Sequence, residues 1–206
     1  MRRFVLIGQT ALATGDFRLD DLPSTSGRID ALLRCLRAAF LTSHGLRAGV
    51  EVYLVLRGGA VGPRTLRVTS ERVKFLRPDE RSLAILVQKT LRSAPLDLAA
   101  DFIELRPGLD LRSGDLEQLL DEARESPCFV LEEGASDLRG LLPPSDAWFF
   151  IGDPAGFEPG TRALLRERGC RPVSVGPLSL HAEDVVTLIG NELDRAVSAN
   201  GARSSS

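Results

Sequence analysis

Three predicted strand ends in the second half of the chain carry residues suited to holding a flat, uncharged ring. Leu131 ends one apolar run, Gly152 ends the next, and Val175-Gly176 ends the third. The third end leads into the loop Pro177-Leu178-Ser179-Leu180, which offers two leucines beside free backbone polar groups. An adenine ring needs an apolar slot together with backbone donors and acceptors for its edge. The pattern therefore predicts an adenosine site at these strand ends.

The sequence has no glycine-rich cradle for phosphates. Neither G-x-G-x-x-G nor G-x-x-x-x-G-K-[ST] occurs in it. Adenosine without phosphates, as in S-adenosylmethionine, therefore fits better than NAD or ATP. On the residues alone, core packing of Leu178 and Leu180 and a simple turn role for Gly152 remain the alternatives.

Alternating strands and helices must position these ends. Apolar runs predict strands at 3–8, 51–56, 128–131, 148–152 and 172–175, with a hairpin return at 65–68. Helical spacing predicts helices from Arg28 to Gly45, from Pro78 to Leu91, and at 115–123, 161–168 and 182–197, with 93–114 irregular. This alternation indicates an α/β fold with a mostly parallel sheet and helices on both faces. No linker interrupts it, so we expect one domain over 1–198 and a disordered tail over 199–206.

Composition excludes several classes of protein. The 206 residues are 43% hydrophobic and 26% charged, as in ordinary globular domains. No apolar run approaches the roughly 20 residues of a membrane helix, and the N-terminal run is too short for a signal peptide, so we expect a cytoplasmic protein without membrane contact. Three scattered cysteines and two histidines lack ligand spacing, so no metal site is expected. A net charge of −2 is unusual for an obligate non-specific nucleic-acid binder.

Several phrases along the whole chain together resemble one family. The chain resembles the archaeal tRNA pseudouridine-54 N1-methyltransferases, in the SPOUT superfamily of knotted methyltransferases. The resemblance rests on phrases that occur in the family's order: Asp20-Asp21-Leu22-Pro23, Gly27-Arg28-Ile29-Asp30, Phe40-Leu41-Thr42-Ser43-His44-Gly45-Leu46-Arg47, Arg77-Pro78-Asp79-Glu80-Arg81-Ser82, Gly176-Pro177-Leu178-Ser179-Leu180-His181-Ala182-Glu183 and Asn191-Glu192-Leu193-Asp194.

The resemblance implies a C-terminal trefoil knot, a homodimer and S-adenosylmethionine bound bent inside the knot. By position, the family's cofactor contacts fall on these residues: Leu131, Gly152, Val175, Gly176, Pro177, Leu178, Ser179, Leu180 and Val185. Some family members carry a cysteine at the position of Val185, so no sulfur acts there in this chain. The turn from Gly58 to Pro63 does not match the family closely.

The reaction that the resemblance implies depends mainly on positioning the substrate against the methyl donor. Pseudouridine is joined to ribose through carbon, so its N1 keeps a proton that must leave as a methyl group arrives. From their place in the matching phrases, we expect Arg28, Asp30 and Arg81 to handle the substrate, with Asp30 as the proton acceptor. The alternative for Asp30 is an ordinary i, i+4 ion pair with Arg34.

A cluster of cations between residues 72 and 92 is the expected RNA contact. It contains Arg72, Lys74, Arg77, Arg81, Lys89 and Arg92, and joins Arg28, Arg34 and Arg37 in a basic face. Arginine forks suit phosphates and base edges, although such a run is more often a solvated helix face.

The expected function is therefore S-adenosylmethionine-dependent N1-methylation of pseudouridine in RNA, foremost at position 54 of the tRNA T-loop. Two alternatives stay open: the same fold acting on another RNA, such as ribosomal pseudouridine, and a non-catalytic protein that binds the cofactor or RNA.

Overall fold

The computed structural model describes residues 1–74, 76–95, 97–141, 144 and 146–203, with side chains up to Val197. In chain order its elements are β1 (Arg2–Leu12), α1 (Leu22–Thr25), α2 (Ile29–Phe40), β2 (Leu41–Thr42), β3 (Gly45–Leu46), β4 (Val50–Gly58), β5 (Arg64–Thr69), α3 (Glu80–Arg92), β6 (Ile103–Arg106), β7 (Leu109–Ser113), α4 (Leu116–Ala123), β8 (Cys128–Leu131), β9 (Ala147–Gly152), α5 (Pro159–Glu167), β10 (Arg171–Val173) and α6 (Ala182–Arg203).

One large sheet runs through the molecule and has two differently built halves. Its order is β10-β8-β9-β1-β4-β5-β7-β6. Strands β10, β8, β9, β1 and β4 pair in parallel, whereas β5, β7 and β6 extend the sheet antiparallel from β4. The expected mostly parallel α/β sheet is confirmed.

Helices cover both faces of this sheet because the central strands are apolar on both sides. Along β1, Phe4 and Leu6 belong to the core beneath α2, α3 and α6. Val5 and Ile7 point the other way, into the core beneath α4 and α5. The first core is built on the apolar stripe of α2, which buries Ile29, Leu33 and Phe40 completely.

One sequence prediction was wrong: residues 93–114 are not irregular throughout. Strands β6 and β7 form an antiparallel hairpin inside this stretch. Pro107 and Gly108 make its tight turn, with Gly108 at φ 73°. The turn residues were visible, but the two arms are so short that their alternation gave little evidence of strands.

Several element ends also differ from the sequence prediction. Helix α2 ends at Phe40 rather than at Gly45, because the chain turns there into the short antiparallel pair β2 and β3. Strand β10 ends at Val173 rather than at Val175.

Strand β1 continues past residue 8 to Leu12, and α6 continues past Val197 to Arg203. The last helix is fastened to the body by Asp194, which accepts hydrogen bonds from Arg2 and from Arg47. The last three residues of the predicted tail lie outside the described residues.

The fold brings the three predicted strand ends to one edge. Parallel strands β8, β9 and β10 all finish on the same side of the sheet, where ligands of open α/β sheets bind. The β10 strand lies at the margin, and the chain then returns across this edge to pack α6 against α2.

Candidate active site

A cleft of about 850 Å³ opens at the carboxyl edge of the parallel strands. Its lining includes Leu131, Gly152 and the segments 173–176 and 178–185, joined by Arg28 and Arg34 from the start and first turns of α2. The cleft thus has one side built from strand ends and loops and another built from a helix N-terminus. These two sides differ in chemistry.

The first side, here called the loop wall, consists of Leu131, Gly152 and the loop 175–180. Every cofactor contact expected from the sequence lines the cleft except Pro177. Leu178 is 73% exposed and Leu180 is 42% exposed, which is unusual for leucine in the described residues. Two leucines held open to solvent at a cleft indicate an apolar ligand surface rather than core packing.

Residue 152 must be glycine because the backbone of Gly156 passes very close to it. A Cβ built at this position would stand 2.9 Å from the carbonyl carbon and 3.0 Å from the Cα of Gly156. The two segments can therefore touch only because residue 152 has no side chain. This contact shapes the floor of the cleft.

The loop wall is held in place by hydrogen bonds to the loop after β8. The backbone N–H of Ser174 donates to Ser136 O at 2.9 Å, and Leu138 N–H donates to Ser174 O at 2.9 Å. Further along, the Ser179 hydroxyl donates to the Glu133 carboxylate. His181 serves as the start of α6, since its carbonyl accepts from the N–H groups of Asp184 and Val185.

Acidic side chains line the cleft more densely than the sequence analysis anticipated. They are Glu132, Glu133, Asp153, Glu183 and Asp184. Three arginines, Arg28, Arg34 and Arg162, line the cleft as well, so acids outnumber cations by two. This modest excess of negative charge disfavours phosphate groups and favours a ligand with positive charge. S-adenosylmethionine carries a sulfonium and an ammonium group and no phosphate, so the lining fits it.

Glu132 adds an acceptor that lacks a donor. Its Oε1 atom is buried and accepts no hydrogen bond from the described residues, with Arg162 Nε at 3.8 Å. The other oxygen, Oε2, accepts from Arg166 at 3.3 Å. Because a buried carboxylate oxygen is costly to leave unpaired, this atom is suited to a hydroxyl or ammonium donor of a ligand.

Asp153 follows Gly152 and is fixed by the backbone. Its carboxylate accepts from Gln9 N–H and from Ala155 N–H, both at 2.8 Å. The side chain is buried and faces the cleft.

The second side, here called the ion-pair wall, presents Arg28, Arg34 and Glu183 to the cleft, with Asp30 buried behind them and outside the lining. Arg28 makes a two-pronged contact with Asp30 at 3.0 and 3.1 Å. Arg34 donates to Asp30 at 3.0 Å and to Glu183 at 2.9 Å. Arg34 thereby joins α2 to the first turn of α6.

Arg28 has a backbone conformation that is rare for a side-chain-bearing residue. Its φ is 71°, and it is the only described residue other than glycine with positive φ. Gly27 precedes it at φ 65°, and a Cβ there would lie 1.8 Å from Thr10 O. Backbone strain of this kind concentrates at functional sites, and here it turns the Arg28 guanidinium toward the cleft.

Asp30 is buried and ionised between two arginines. Burial works to raise its pKa, but the hydrogen bonds from Arg28 and Arg34 outweigh burial and lower the pKa below its ordinary value. The same contact with Asp30 raises the pKa of Arg28. A carboxylate held in this way is a firm anchor for cations and a weak base.

Arg81 is separated from the other two expected substrate residues. It lies in α3, does not line the cleft, and donates to Leu19 O at 3.4 Å. Arg34 bridges part of this distance, since it also donates to Glu80 at 3.3 Å. The structure therefore brings Arg28 and Asp30 together and places Arg81 on the neighbouring surface.

Sequence reasoning missed the acids of the cleft. Glu132 and Asp153 each directly follow a predicted strand end, where a polar residue is placed at the ligand edge of a parallel sheet. Their position directly after a strand end was the sequence feature that could have identified them as cleft residues. Glu183 stood in a matching phrase without an assigned role.

Within the described residues, no helix is long and apolar enough to cross a membrane. In the same part of the chain, no group of three or more His, Cys, Asp or Glu side chains is placed to hold a metal ion.

The structure has the fold of a solved protein. It aligns with that of Nep1 from Archaeoglobus fulgidus, bound to S-adenosylhomocysteine, at a TM-score of 0.62 over 95% of this chain and 98% of that one. Sequence identity is only 18%, so the likeness shows that the two proteins share an α/β fold and nothing more.

Sequence comparison gives the family. A family model described as "Putative SAM-dependent RNA methyltransferase" matches residues 1–198. Full-length relatives named tRNA (pseudouridine(54)-N(1))-methyltransferase include a Methanococcoides burtonii protein at 39% identity, covering 96% of this chain and 98% of the relative. Another, from Haloarcula marismortui, is 38% identical over 95% of this chain and 98% of the relative. The chain belongs to this family of S-adenosylmethionine-dependent RNA methyltransferases, as the sequence predicted.

Proposed function

We propose that this protein transfers the methyl group of S-adenosylmethionine to N1 of pseudouridine 54 in the T-loop of tRNA. The observation that carries the proposal is the full-length identity of 39% with relatives named for this reaction. The cleft supports it, because its residues match the cofactor contacts expected for the family and its charge suits a phosphate-free cationic ligand.

The loop wall is the proposed cofactor site. Leu178, Leu180 and Leu131 supply apolar surface for the adenine ring, and Gly152 keeps the floor open. Val175, Gly176, Pro177 and Ser179 shape the loop, and Val185 closes it from the first turn of α6. Oε1 of Glu132, which accepts no hydrogen bond from the described residues, is suited to accept a hydroxyl or ammonium hydrogen. When bound, S-adenosylmethionine supplies an electrophilic methyl group on its sulfonium.

The ion-pair wall is the proposed substrate side. Negative charge develops on the pseudouridine ring as its N1 proton leaves, and a fixed guanidinium stabilises such charge best when it needs no reorientation. Arg28 meets this condition because Asp30 holds it at 3.0 Å. The lowered pKa of Asp30 favours this positioning role over its role as the proton acceptor. Arg81 is proposed to contact RNA beside the cleft.

A knot formed by the C-terminal segment is part of the proposal. After β10 the chain crosses from the margin of the sheet to α2, and the 136–138 loop is hydrogen-bonded to Ser174 where this crossing begins. These features support threading of α6 past the loop between β8 and β9. We also propose that residues 1–198 form the domain, that the chain acts as a homodimer, and that it works in the cytoplasm with its tRNA substrate.

Methyl transfer to defined RNAs tests the function. The protein is incubated with methyl-labelled S-adenosylmethionine and a tRNA that carries either pseudouridine or uridine at position 54, or with ribosomal RNA. We expect labelled N1-methylpseudouridine only from the first RNA. Label found only in ribosomal RNA would show that ribosomal RNA, and not tRNA, is the substrate. Cofactor binding without transfer to any RNA would refute the enzyme assignment.

A further inference from the structure

Two cysteines meet at the end of the sheet opposite the cleft. Cys128 is the first residue of β8, and Cys170 directly precedes β10. The parallel register pairs Arg171 with Phe129, so the residues one step earlier, Cys170 and Cys128, stand opposite each other. Opposite residues of neighbouring strands point to the same face, and both thiols pack in the core beneath α4 and α5.

The two thiols influence each other's acidity. The Cys128 thiol donates to Ser126 O at 3.3 Å and to Ala123 O at 3.6 Å. The neighbouring Cys170 side chain lowers the pKa of Cys128, and Cys128 together with burial raises the pKa of Cys170. One thiol of the pair is therefore the more acidic and the other keeps its proton.

Only one of the pair is accessible to a small reagent. Cys128 is half-buried and lines a crevice of about 340 Å³, whereas Cys170 is buried behind it. Three arginines line the same crevice, namely Arg124, Arg168 and Arg171. Two of these arginines are ion-paired, Arg168 with Asp121 and Arg124 with Glu125, so the crevice supplies access to the sulfur while the neighbouring Cys170 lowers the pKa of Cys128. The third cysteine, Cys35, lacks these features, since it is buried on the other face and burial raises its pKa to about 12.

The backbone spacing suits a covalent link. Adjacent strands lie about 4.8 Å apart, which falls within the range of Cα separations that a disulfide bridges. Both residues stand at the end of the β8–β10 ladder, where the register finishes on one side. The backbone can therefore adjust by the small amount that the bond requires.

We propose that Cys128 and Cys170 form a reversible redox site, in which hydrogen peroxide oxidises Cys128 to a sulfenic acid and Cys170 resolves it to a disulfide. Cys128 sulfur attacks one peroxide oxygen, so that the S–O bond forms, the O–O bond breaks and one water leaves with the thiol proton. Cys170 sulfur then displaces the oxygen from Cys128, and a second water leaves as the S–S bond forms. Two thiols are oxidised and one peroxide is reduced, and a small dithiol reverses the link.

Mass spectrometry of the intact, full-length protein tests this assignment without reference to methyl transfer. The reduced protein is treated with a few equivalents of hydrogen peroxide, denatured, alkylated and digested. We expect a cross-linked peptide pair joining residues 128 and 170, with two hydrogens lost, while Cys35 is alkylated. Dithiothreitol should restore alkylation at both positions. Alkylation of both Cys128 and Cys170 after peroxide treatment would overturn the proposal.

Three single variants assign the roles. Cys35→Ser should give the same cross-link as the native chain. Cys170→Ser should leave a sulfenic acid at Cys128 that is trapped by dimedone, and Cys128→Ser should leave Cys170 unoxidised. Trapping of Cys170 instead would contradict the assigned order. Circular dichroism of each variant confirms folding, and the oxidised native chain should unfold at a higher temperature than the reduced one, because the link closes a long loop.

Discussion

The two sides of the cleft achieve their shape by opposite means. The loop wall depends on backbone, with a glycine contact at Gly152 and leucines left open to solvent. The ion-pair wall depends on charge, with a buried Asp30 between Arg28 and Arg34. A wall of backbone and apolar side chains suits the adenine ring of the cofactor, whose charge does not change during the reaction. A wall of fixed cations suits a substrate whose charge changes during the reaction.

Removal of the charge at Asp30 should give the largest effect on turnover. Asp30→Asn leaves Arg28 and Arg34 facing a neutral amide, so Arg28 loses its anchor. We expect kcat to fall by about 10- to 100-fold, the value of one charge-assisted hydrogen bond. Affinity for S-adenosylhomocysteine, measured by calorimetry, should stay within about threefold.

The chain offers a matched control for this variant. Arg18 and Asp20 form the same two-residue, two-pronged pair at 3.2 and 2.9 Å, but both side chains are exposed and outside the cleft. Asp20→Asn should leave kcat unchanged, since exposed pairs contribute little. Equal losses in the two variants would show that burial in the ion-pair wall has no special role.

A side chain at residue 152 should weaken cofactor binding at the loop wall. In Gly152→Ala, the new methyl group meets the backbone of Gly156 at 2.9–3.0 Å. Overpacking of this kind costs about 1–3 kcal/mol, so we expect affinity for S-adenosylhomocysteine to fall about 5- to 100-fold. Gly160→Ala is the control, because nothing lies within 4 Å of its Cβ position. Unchanged affinity in Gly152→Ala would contradict the assigned cofactor floor.

Truncation of Leu178 separates ligand binding from stability. Since this side chain is 73% exposed, Leu178→Ala should change the free energy of unfolding by less than about 0.5 kcal/mol. Lost contact with the ring should weaken S-adenosylhomocysteine binding by about 3- to 10-fold. Val61→Ala, exposed on the β4–β5 turn, is the control that should affect neither. A large loss of unfolding free energy in Leu178→Ala would show that this leucine packs in the hydrophobic core instead of contacting a ligand.

The smallest expected effect is on acid stability. The folded-state pKa of Asp30 is lowered, so its stabilising contribution is present above its unfolded pKa of about 3.9 and is lost as pH falls through the folded value. The difference in unfolding free energy between the native chain and Asp30→Asn should therefore shrink below about pH 4. Urea titrations at several pH values measure it, and a difference that grows in acid would have the wrong sign.

The sequence predicted the loop wall better than the ion-pair wall. The strand ends at Leu131 and Gly152 were visible because apolar runs and a glycine mark them. The third end was predicted two residues late, at Val175 instead of Val173. The partnership of Arg34 with Glu183 was not visible, since 149 residues separate them and only tertiary packing joins α2 to α6. The hairpin of β6 and β7 was not predicted for a different reason. Its strands are short, and β7 is buried on both faces, so neither shows a clear alternation of polar and apolar residues.

The most direct test of the account is a crystal structure of the full chain with S-adenosylhomocysteine. The account predicts ligand density in the cleft, with the adenine ring against Leu178 and Gly152 and a donor group of the ligand on Glu132. Density at another place on the protein, or a saturated crystal with an empty cleft, would contradict it.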